Sequence, residues 1–395
     1  MLVKTVAAVG TAVMPIPDAA RTARNMGKGS HICTRCVMDT TDPQITFDSA
    51  GVCSHCTHFD AVLRKSWLPN EKGQARLREM LAKIKRHGEG AEYDCIMGLS
   101  GGVDSSYLAY KVKEWGLRPL IVHIDAGWNS ELAVKNIENM VKKLDYDLYT
   151  HVVDWEEMKD LHVAFLRARV ANQDVPQDHV FFSTLRHLAI KNKIRSVLTG
   201  SNIATESILP SAWGYNAMDS RHLMSIHRKF GRKELKSFNT VSFFQYCFYY
   251  PYVKNIRVYK PLNVIFYNKS EAKAFLRQEF GWQDYGGKHY ESRFTKFFQS
   301  YYLPEKFGYD KRKAHLSSLI VSEQMSREEA MAELEKPLYD PVELEEDREF
   351  VLKKLGLHRE EFDQIMQAPN KSFKDYPSNY RAFMLFKKVR SLMAS

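Results

Sequence analysis

Long hydrophobic runs are missing from this chain, as are internal repeats and low-complexity segments. No apolar stretch of the 395 residues approaches the length of a bilayer span, which excludes an integral membrane protein built on helices. Hydrophobic residues make up 44% and charged residues 26% of the sequence. Such values are typical of a soluble globular protein, and the length is enough for two or three domains.

Cysteine is scarce, but four of the six cysteines form a pattern. Cys33-x-x-Cys36 and Cys53-x-x-Cys56 are two knuckles separated by residues 37–52, a spacing that indicates a tetrahedral Cys₄ zinc site within a small module, residues 31–60. Four thiolates leave no open coordination position, so we expect the zinc to be structural. A pair of disulfides in an exported protein is the weaker alternative.

The two remaining cysteines, and the histidines close to the knuckles, allow less specific interpretations. Cys95 and Cys247 stand alone in apolar surroundings, which favours buried packing, and no cysteine lies in a nucleophile elbow of the kind a glutaminase needs. The histidines close to the knuckles could replace a ligand, although four cysteines already saturate zinc: His31, His55 and His58.

The chain has an excess of positive charge, with a formal net charge of +10. A basic surface suits a polyanion such as tRNA, or a nucleotide together with a nucleotide-linked substrate. Lysine and arginine are spread along the chain rather than grouped in blocks, which favours small anions and makes nucleic acid the less favoured partner.

The first thirty residues differ from the rest. Residues 6–14 are short, apolar and rich in alanine and valine, and they resemble a weak signal peptide. We interpret residues 1–30 as a disordered leader, or as the result of an upstream start with Met26 as the natural one.

The glycine-rich segment at residues 98–106 is the most informative stretch. It reads Gly-Leu-Ser-Gly-Gly-Val-Asp-Ser-Ser, follows an apolar run at 93–97 that predicts a strand, and precedes a helical pattern at 107–112. A strand, a Gly-Gly turn and a helix N-terminus form a phosphate cradle, and no Gly-Lys-Ser/Thr follows, so this is not a Walker loop. The candidate nucleotide contacts are Gly98, Ser100, Gly101, Gly102, Val103, Asp104, Ser105 and Ser106.

Further strands alternate with helices along the chain. Apolar runs at 120–124, 148–153 and 194–199 predict strands, with helices capped by Ser130 and by Asp178 between them. This alternation predicts an α/β fold with a doubly wound parallel sheet, whose ligands bind at the carboxyl ends of the strands.

Polar residues follow two of these strands. We expect Asp125 to hold ribose or adenine, Gly200 and Ser201 to lie close to the nucleotide, and Glu206 to bind Mg²⁺ together with Asp104. Each of these residues alone is equally compatible with an ordinary loop. Their joint placement after two strands favours the interpretation as a nucleotide site.

Cationic and aromatic residues are frequent between 207 and 300. The candidates for substrate binding are Arg221, His222, His227, Lys288, Tyr290 and Arg293, and those for catalysis are Asp104, Lys288 and His289. Lys288, His289, Tyr290 and Arg293 belong to a loop with a flexible Gly-Gly turn, residues 285–294. For Arg221, His222 and His227 the alternative is a solvent-exposed protein surface with no role in binding. After Pro304 the pattern is helical and peripheral, with a capping box at Ser326.

The loop at 98–106 resembles the pyrophosphate loop of the ATP pyrophosphatases. With the two knuckles, residues 123–128, residues 200–206 and the Gly-Gly-Lys-His-Tyr-Glu-Ser segment at 286–292, the chain from Ile32 onward resembles the N-acetyl sugar amidotransferases (WbpG-like and PseA-like) of lipopolysaccharide O-antigen and pseudaminic acid synthesis. The resemblance implies a PP-loop, HUP-like domain at 61–300 with substrate-binding insertions, followed by a helical region at 301–395.

The resemblance also implies a reaction. The acetamido oxygen of a nucleotide-activated N-acetyl sugar attacks the α-phosphate of ATP, and ammonia then displaces AMP to leave an acetamidino group. ATP, Mg²⁺ and structural Zn²⁺ are the implied cofactors. Ammonia is expected from separate subunits similar to the glutaminase and cyclase of imidazole glycerol phosphate synthase. ATP and reduced thiols place such an enzyme in the cytoplasm.

Two other readings compete with this one. A tRNA thiolase or lysidine-type synthetase shares the loop, but thiolases usually need cysteines beyond the zinc ligands, and here only Cys95 and Cys247 remain. The third reading is a nucleotide-binding protein or scaffold without catalytic activity.

Overall fold

A five-stranded parallel sheet lies at the centre of the computed structural model, which describes residues 31–287 and 290–394. The strand order is β3-β2-β1-β4-β5, and every neighbouring pair is parallel. The strands are β1 Cys95–Gly98, β2 Pro119–Asp125, β3 Leu148–Val152, β4 Ser196–Leu198 and β5 Arg257–Tyr259. The predicted doubly wound parallel sheet is therefore confirmed.

The central strands β1, β2 and β4 are largely buried on both faces, whereas β3 and β5 are mostly exposed. Side chains alternate along each strand, so a buried strand contributes to both sides of the sheet. On one face Ile96, Val122 and Val197 join one hydrophobic cluster, and on the other Met97 and Ile121 join a second. Helices cover both clusters, which explains why the strands read as apolar runs.

The sheet reverses its order beside the central strand. From β1 the chain adds β2 and β3 on one side, then crosses to add β4 and β5 on the other. The carboxyl ends of β1 and β4 therefore border the switch point, where α/β proteins bind their ligands. The loops at 98–102 and 199–202 lie at this point.

The helices follow the predicted alternation. In chain order they are α1 Ser54–Ala61, α2 Glu71–His87, α3 Val103–Glu114, α4 Glu131–Leu144, α5 Trp155–Ala168, α6 Val175–Lys191, α7 Ile203–Glu206, α8 Ser220–Phe230, α9 Lys269–Phe280, α10 Arg293–Phe297, α11 Leu303–Phe307, α12 Lys311–Val321, α13 Arg327–Glu335, α14 Pro341–Leu355, α15 Arg359–Gln367 and α16 Tyr380–Ala394. The described chain also has two π-helical segments, Gln245–Val253 and Phe298–Tyr302, and four short 3-10 helices, Leu63–Ser66, Ser211–Trp213, Pro261–Asn263 and Phe373–Asp375. Among the helices of the described part of the chain, none is long and apolar enough to cross a bilayer.

The predicted helix caps are partly confirmed. Ser130 accepts a hydrogen bond from the Ala133 N–H, and Ser326 forms its capping box with Glu329. The prediction for Asp178 is wrong: α6 begins at Val175, and Asp178 lies inside its first turn. Proline in this first turn moves the helix start upstream, because it fits the first helical positions and lacks an N–H to satisfy.

Two further elements differ from the sequence expectation. Helix α3 begins at Val103, inside the glycine-rich segment, rather than at residue 107. Strand β5 was not predicted as a strand of its own, since its three residues are exposed or half-buried and carry no apolar run. It is held by pairing with β4, a contact that sequence periodicity does not reveal.

The cysteine module packs against the C-terminal part of the chain. Its four cysteines and Phe59 share a cluster with Ala314 and Val321 of α12. Ser317 accepts a hydrogen bond from the Val37 N–H, and Arg327 donates to the Cys33 and Cys36 carbonyls. The cysteine module is thus joined to α12 and α13.

Helices α10, α14 and α15 pack on α5 and on the turn after β2. Phe294, Phe297 and Phe362 form an aromatic cluster with Trp128 of that turn. The expectation of a peripheral region after Pro304 is therefore wrong for α14, because this helix lies against a loop at the carboxyl edge of the sheet.

Candidate active site

The glycine-rich loop adopts a backbone that only glycine allows without strain. Gly101 has φ +82°, and a Cβ there would lie 2.8 Å from the Ala133 carbonyl oxygen. The Gly101 carbonyl accepts hydrogen bonds from Trp282 Nε1 at 2.7 Å and from the Tyr285 hydroxyl at 2.6 Å. The segment before the Gly-Gly-Lys-His loop therefore holds the glycine-rich loop in place.

The loop presents the open N-terminus of α3. Gly102 is the N-cap residue, and no side chain caps the helix. Ser100 Oγ accepts from the Gly102 N–H at 3.3 Å and lies 3.2 Å from Ser105 Oγ. Uncapped N–H groups at the positive end of a helix bind an anion well. The arrangement fits the predicted phosphate cradle.

The loop after β4 lies directly against the first turn of α3. A Cβ on Gly200 would lie 2.9 Å from the Asp104 carbonyl carbon and 3.0 Å from the Ser105 nitrogen. Position 200 therefore requires glycine because the backbone of α3 leaves no room for a Cβ. Ser201 hydrogen-bonds through its N–H to Thr199 Oγ1 at 3.2 Å.

Asp104 lies at the centre of a small hydrogen-bond network. Its Oδ1 accepts from the Tyr267 hydroxyl and from Asn202 Nδ2, the latter at 3.2 Å. Burial and the neighbouring Asp104 and Glu206 carboxylates hold the pKa of the Tyr267 hydroxyl well above its ordinary value. Asp104 and Glu206 thus both lie near the Tyr267 hydroxyl, and their joint binding of Mg²⁺ stays a prediction.

Sequence reasoning missed two members of this network. Asn202 caps α7 and lies within residues 200–206, a segment that the family resemblance included, so its position two residues after Gly200 was an available signal. Tyr267 is buried and distant in sequence, and no pattern pointed to it.

Asp125 organises the turn after β2. Its Oδ1 accepts from the Gly127 N–H at 2.8 Å and from Asn129 Nδ2 at 3.0 Å. Asn129 Nδ2 also lies 3.0 Å from His123 Nε2, and His123 Nδ1 lies 3.2 Å from the Leu99 carbonyl oxygen. Burial lowers the pKa of His123. This chain of contacts joins the turn to the glycine-rich loop.

The segment at 290–293 pairs with the same turn. Asn129 and Ser292 form an antiparallel bridge, and the Arg293 N–H donates to the Trp128 carbonyl at 2.9 Å. The Glu291 carboxylate lies 3.4 Å from where a Cβ of Gly102 would stand. Lys288 and His289, the predicted catalytic pair, lie outside the described residues.

The structure gives each remaining substrate candidate specific neighbours. Arg293 forms an ion pair with Asp347 and stacks 3.9 Å from the Phe350 ring centre, while the Tyr290 hydroxyl lies 2.8 Å from Ser300 Oγ. Both residues belong to the segment beside the glycine-rich loop. This position agrees with substrate binding, and their assignment to substrate stays a prediction.

The candidates on α8 have other surroundings. His222 is buried with its ring 4.7 Å from that of Tyr215, and burial lowers its pKa to about 4. His227 Nε2 lies 3.2 Å from Asp160 Oδ2, and Arg221 is exposed. None of these contacts reaches the glycine-rich loop, so the structure does not bring these three residues to the site.

The four predicted zinc ligands converge. Their sulfur atoms all lie within 4.8 Å of one another, with Cys33–Cys56 at 4.0 Å, Cys36–Cys53 at 3.6 Å and Cys53–Cys56 at 3.7 Å. A tetrahedral ion with bonds of about 2.3 Å separates its sulfurs by about 3.8 Å. All four are buried and free of disulfides, so the geometry fits zinc and not the disulfide alternative.

Backbone donors surround the sulfurs. The N–H groups of Arg35, Cys36 and Cys53 point to Cys33 Sγ at 3.2–3.4 Å, as expected around a thiolate. His55 faces Asp42 at 2.8 Å, so it is not placed as a ligand. A closed, buried Cys₄ set supplies folding energy rather than chemistry.

The two solitary cysteines are buried, as predicted. Burial raises the pKa of the Cys95 thiol and raises that of Cys247 to about 11. Neither is an activated nucleophile.

Comparison with known proteins adds a family to this geometry. Residues 291–390 match the family described as "LPS biosynthesis protein WbpG-like, C-terminal domain". This quarter of the chain is similar to the C-terminal domain of that family, and we refer to it below as the WbpG-like domain. It begins at the Glu291 segment beside the glycine-rich loop, and it agrees with the resemblance predicted from the sequence.

Two curated relatives share parts of the sequence. An uncharacterized protein of Methanocaldococcus jannaschii is 31% identical over 119 residues, 29% of this chain and 40% of that protein. The tRNA(Ile)-lysidine synthase of Chlamydia pneumoniae is 36% identical over 80 residues, 19% of this chain and 25% of the synthase. The matched region thus spans less than half the length of each relative.

Solved structures show a more distant likeness. The NH3-dependent NAD synthetase of Campylobacter jejuni matches 33% of this chain and 58% of its own, at 16% identity and a TM-score of 0.26. The NMN synthetase of Francisella tularensis matches 54% of this chain and 87% of its own, at 14% identity and a TM-score of 0.27. Scores of this size carry no argument, so the fold assignment rests on the strand order and the switch point.

Proposed function

We propose that the protein is an ATP-dependent, AMP-forming amidotransferase that converts the acetamido group of a nucleotide-activated N-acetyl sugar into an acetamidino group. The product would serve surface-polysaccharide (lipopolysaccharide O-antigen) synthesis. The observation that carries the proposal is the contact between two parts: an uncapped helix N-terminus after a glycine-rich loop, and the start of a WbpG-like domain whose Glu291 lies at Gly102.

The first half of the reaction is adenylation. The acetamido oxygen forms a bond to the α-phosphorus of ATP, and the bond from that phosphorus to the β-phosphate oxygen breaks to release pyrophosphate. The N–H groups of α3 and the Ser100 and Ser105 hydroxyls bind the phosphates and offset the developing negative charge. Mg²⁺, held by Asp104 and Glu206, would supply further neutralisation of the pyrophosphate.

The second half replaces oxygen by nitrogen. Ammonia adds to the imidate carbon, and the bond from that carbon to the adenylate oxygen breaks, so AMP leaves with the electron pair and an amidinium remains. Adenylation is needed because the amide oxygen is a poor leaving group. We assign Lys288 and His289 as catalytic residues here, and Tyr290 and Arg293 as substrate contacts, from their motif.

Ammonia requires a source. The two cysteines outside the zinc set are buried with raised thiol pKa values, so neither provides a glutaminase nucleophile. We therefore propose that separate glutaminase and cyclase-like subunits, similar to imidazole glycerol phosphate synthase, deliver ammonia to the adenylate and limit its hydrolysis.

The test is a product analysis. Purified protein is incubated with ATP, ammonium and a panel of nucleotide-linked N-acetyl sugars, and the products are read by mass spectrometry. We expect AMP, pyrophosphate and one sugar whose acetamido oxygen has become an NH group. Release of ADP, or AMP formation with every sugar omitted and no amidine in any reaction, would contradict the proposal.

The lysidine synthase match favours one alternative, a tRNA-modifying enzyme of the same loop class. Its substrates would be tRNA and an amine rather than a sugar nucleotide. Release of AMP that depends on tRNA and not on any sugar nucleotide would establish this alternative.

A further inference from the structure

Lys354 carries a positive charge to the turn that follows β2. It lies in the last turn of α14, within the WbpG-like domain. Its ammonium donates a hydrogen bond to the Gly127 carbonyl and lies 4.7 Å and 5.0 Å from the ring centres of Trp155 and Trp128. The C-terminal domain thus contacts the carboxyl edge of the sheet through this ammonium.

The neighbouring cations of the domain have their own carboxylates. Asp347 lies within ion-pair distance of both Arg293 and Lys296. Within residues 31–287 and 290–394, by contrast, no carboxylate is found within 4.0 Å of the Lys354 ammonium. Asp125 is close enough to raise its pKa, but burial outweighs this and lowers the pKa overall.

A half-buried ammonium that forms no ion pair with a carboxylate of the described residues is costly compared with one in water. The Gly127 carbonyl and the two indole rings stabilise the ammonium, but none of these groups carries a net negative charge that would neutralise it. The arrangement therefore points to an anion that is present when the site is in use. Lysine is a common point-charge partner of phosphate oxygens.

A series of contacts connects the turn that Lys354 touches with the glycine-rich loop. Gly127 is bound by Asp125, and the next residue, Trp128, accepts the Arg293 N–H. Two residues before Arg293, Glu291 approaches Gly102. An anion beside Lys354 would therefore share the carboxyl edge of β1 and β2 with the nucleotide.

We propose that Lys354 binds a phosphate group of a nucleotide held at the carboxyl edge of the sheet, so that the WbpG-like domain supplies a cation to the site formed by the N-terminal part of the chain. This inference rests on the proposed function for its two possible sources: ATP itself, or the diphosphate of the sugar nucleotide.

The experiment compares Lys354→Gln and Lys354→Arg with Lys353→Gln, the exposed lysine next to it on the same helix. Direct binding of ATP and of each sugar nucleotide is measured by calorimetry, together with KM and kcat of AMP formation. We expect Lys354→Gln to weaken binding of one nucleotide about tenfold or more, as for a lost hydrogen bond to a charged group. Lys354→Arg should restore most of this, and Lys353→Gln should change nothing.

The possible results distinguish the two sources of the phosphate, and they distinguish failure of the Lys354 inference from failure of the proposed function. Weaker binding of ATP alone identifies an ATP phosphate, and weaker binding of the sugar nucleotide alone identifies its diphosphate; both support the inference. Unchanged binding of both nucleotides with a lowered melting temperature would show a purely structural role and overturn it. If the wild-type protein binds ATP but forms no amidine, the proposed function fails while the binding comparison still decides the role of Lys354.

Discussion

Tyr267 donates a hydrogen bond to the carboxylate of Asp104, joining the segment before α9 to the first turn of α3. The tyrosine is buried, and Asn202 donates to the same oxygen. Two donors thus orient the carboxylate within the crevice, a constraint visible only after folding.

We expect Asp104→Ala to abolish ATP–pyrophosphate exchange while leaving the fold intact, because it removes the carboxylate assigned to Mg²⁺. Tyr267→Phe keeps the carboxylate but removes one donor to a charged acceptor, so exchange should fall about tenfold. Exchange assays with circular dichroism as the folding check test both variants. Tyr149→Phe, at an exposed position of β3, is the control. Full AMP release by Asp104→Ala would overturn the assignment of the loop.

Gly200→Ala should damage the site through the backbone. Its Cβ would lie 2.9–3.0 Å from backbone atoms of Asp104 and Ser105, so the start of α3 must shift. We expect a loss of about 1–3 kcal/mol in the free energy of unfolding, as for overpacking, and weaker ATP binding. Denaturant titration and calorimetry measure these effects. Gly214→Ala is the matched control, since its Cβ has only an ordinary contact at 3.8 Å. Equal behaviour of the two variants would show that the close approach is unimportant.

Cys33→Ser should remove zinc and loosen both the cysteine module and the helices that pack on it. Arg327 binds the Cys33 and Cys36 carbonyls, and Ser317 binds the Val37 N–H, so loss of the metal should lower amide protection in α12 and α13. Elemental analysis and hydrogen exchange test this. The exchange of α4, which lies on the sheet, should change much less. Cys247→Ala should keep one zinc per chain. A Cys33→Ser protein that folds normally without zinc and loses only catalysis would contradict a structural role.

We expect His162 to make the free energy of unfolding depend on pH. Its buried ring has neither nitrogen hydrogen-bonded among the described residues, and burial lowers its pKa from 6.5 to about 3. Between these values the unfolded chain binds a proton that the folded chain does not, so stability is lost as pH falls from 6.5 towards 3. At pH 5 this loss amounts to about 2 kcal/mol.

The corresponding variant is His162→Leu, which should flatten the decline in stability between pH 7.5 and pH 5. His358→Gln, at an exposed helix start, should follow the wild-type curve. Urea unfolding at each pH measures both. Parallel curves for His162→Leu and the wild type would show that the ring is not the source of the acid sensitivity.

Local patterns were sufficient to predict much of the fold and two parts of the site. Apolar runs predicted four of the five strands, including β3, which is mostly exposed in the fold. The residues of β5 carry no such run, because pairing with β4, not burial, defines that strand. The zinc ligands and the glycine-rich loop were found because each is short in sequence. His222 was proposed for substrate from its residue type, whereas the fold packs it among aromatic rings.

The sequence by itself determined the parts whose geometry is local: the Cys-x-x-Cys knuckles, the strand-loop-helix around Gly101 and the alternation that builds the sheet. Only the tertiary structure decided which distant residues meet there, namely Tyr267 at Asp104, Glu291 at Gly102 and Lys354 at Gly127. The reason is physical. Local spacing controls backbone conformation over a few residues, while contacts between residues more than a hundred positions apart depend on how whole elements pack.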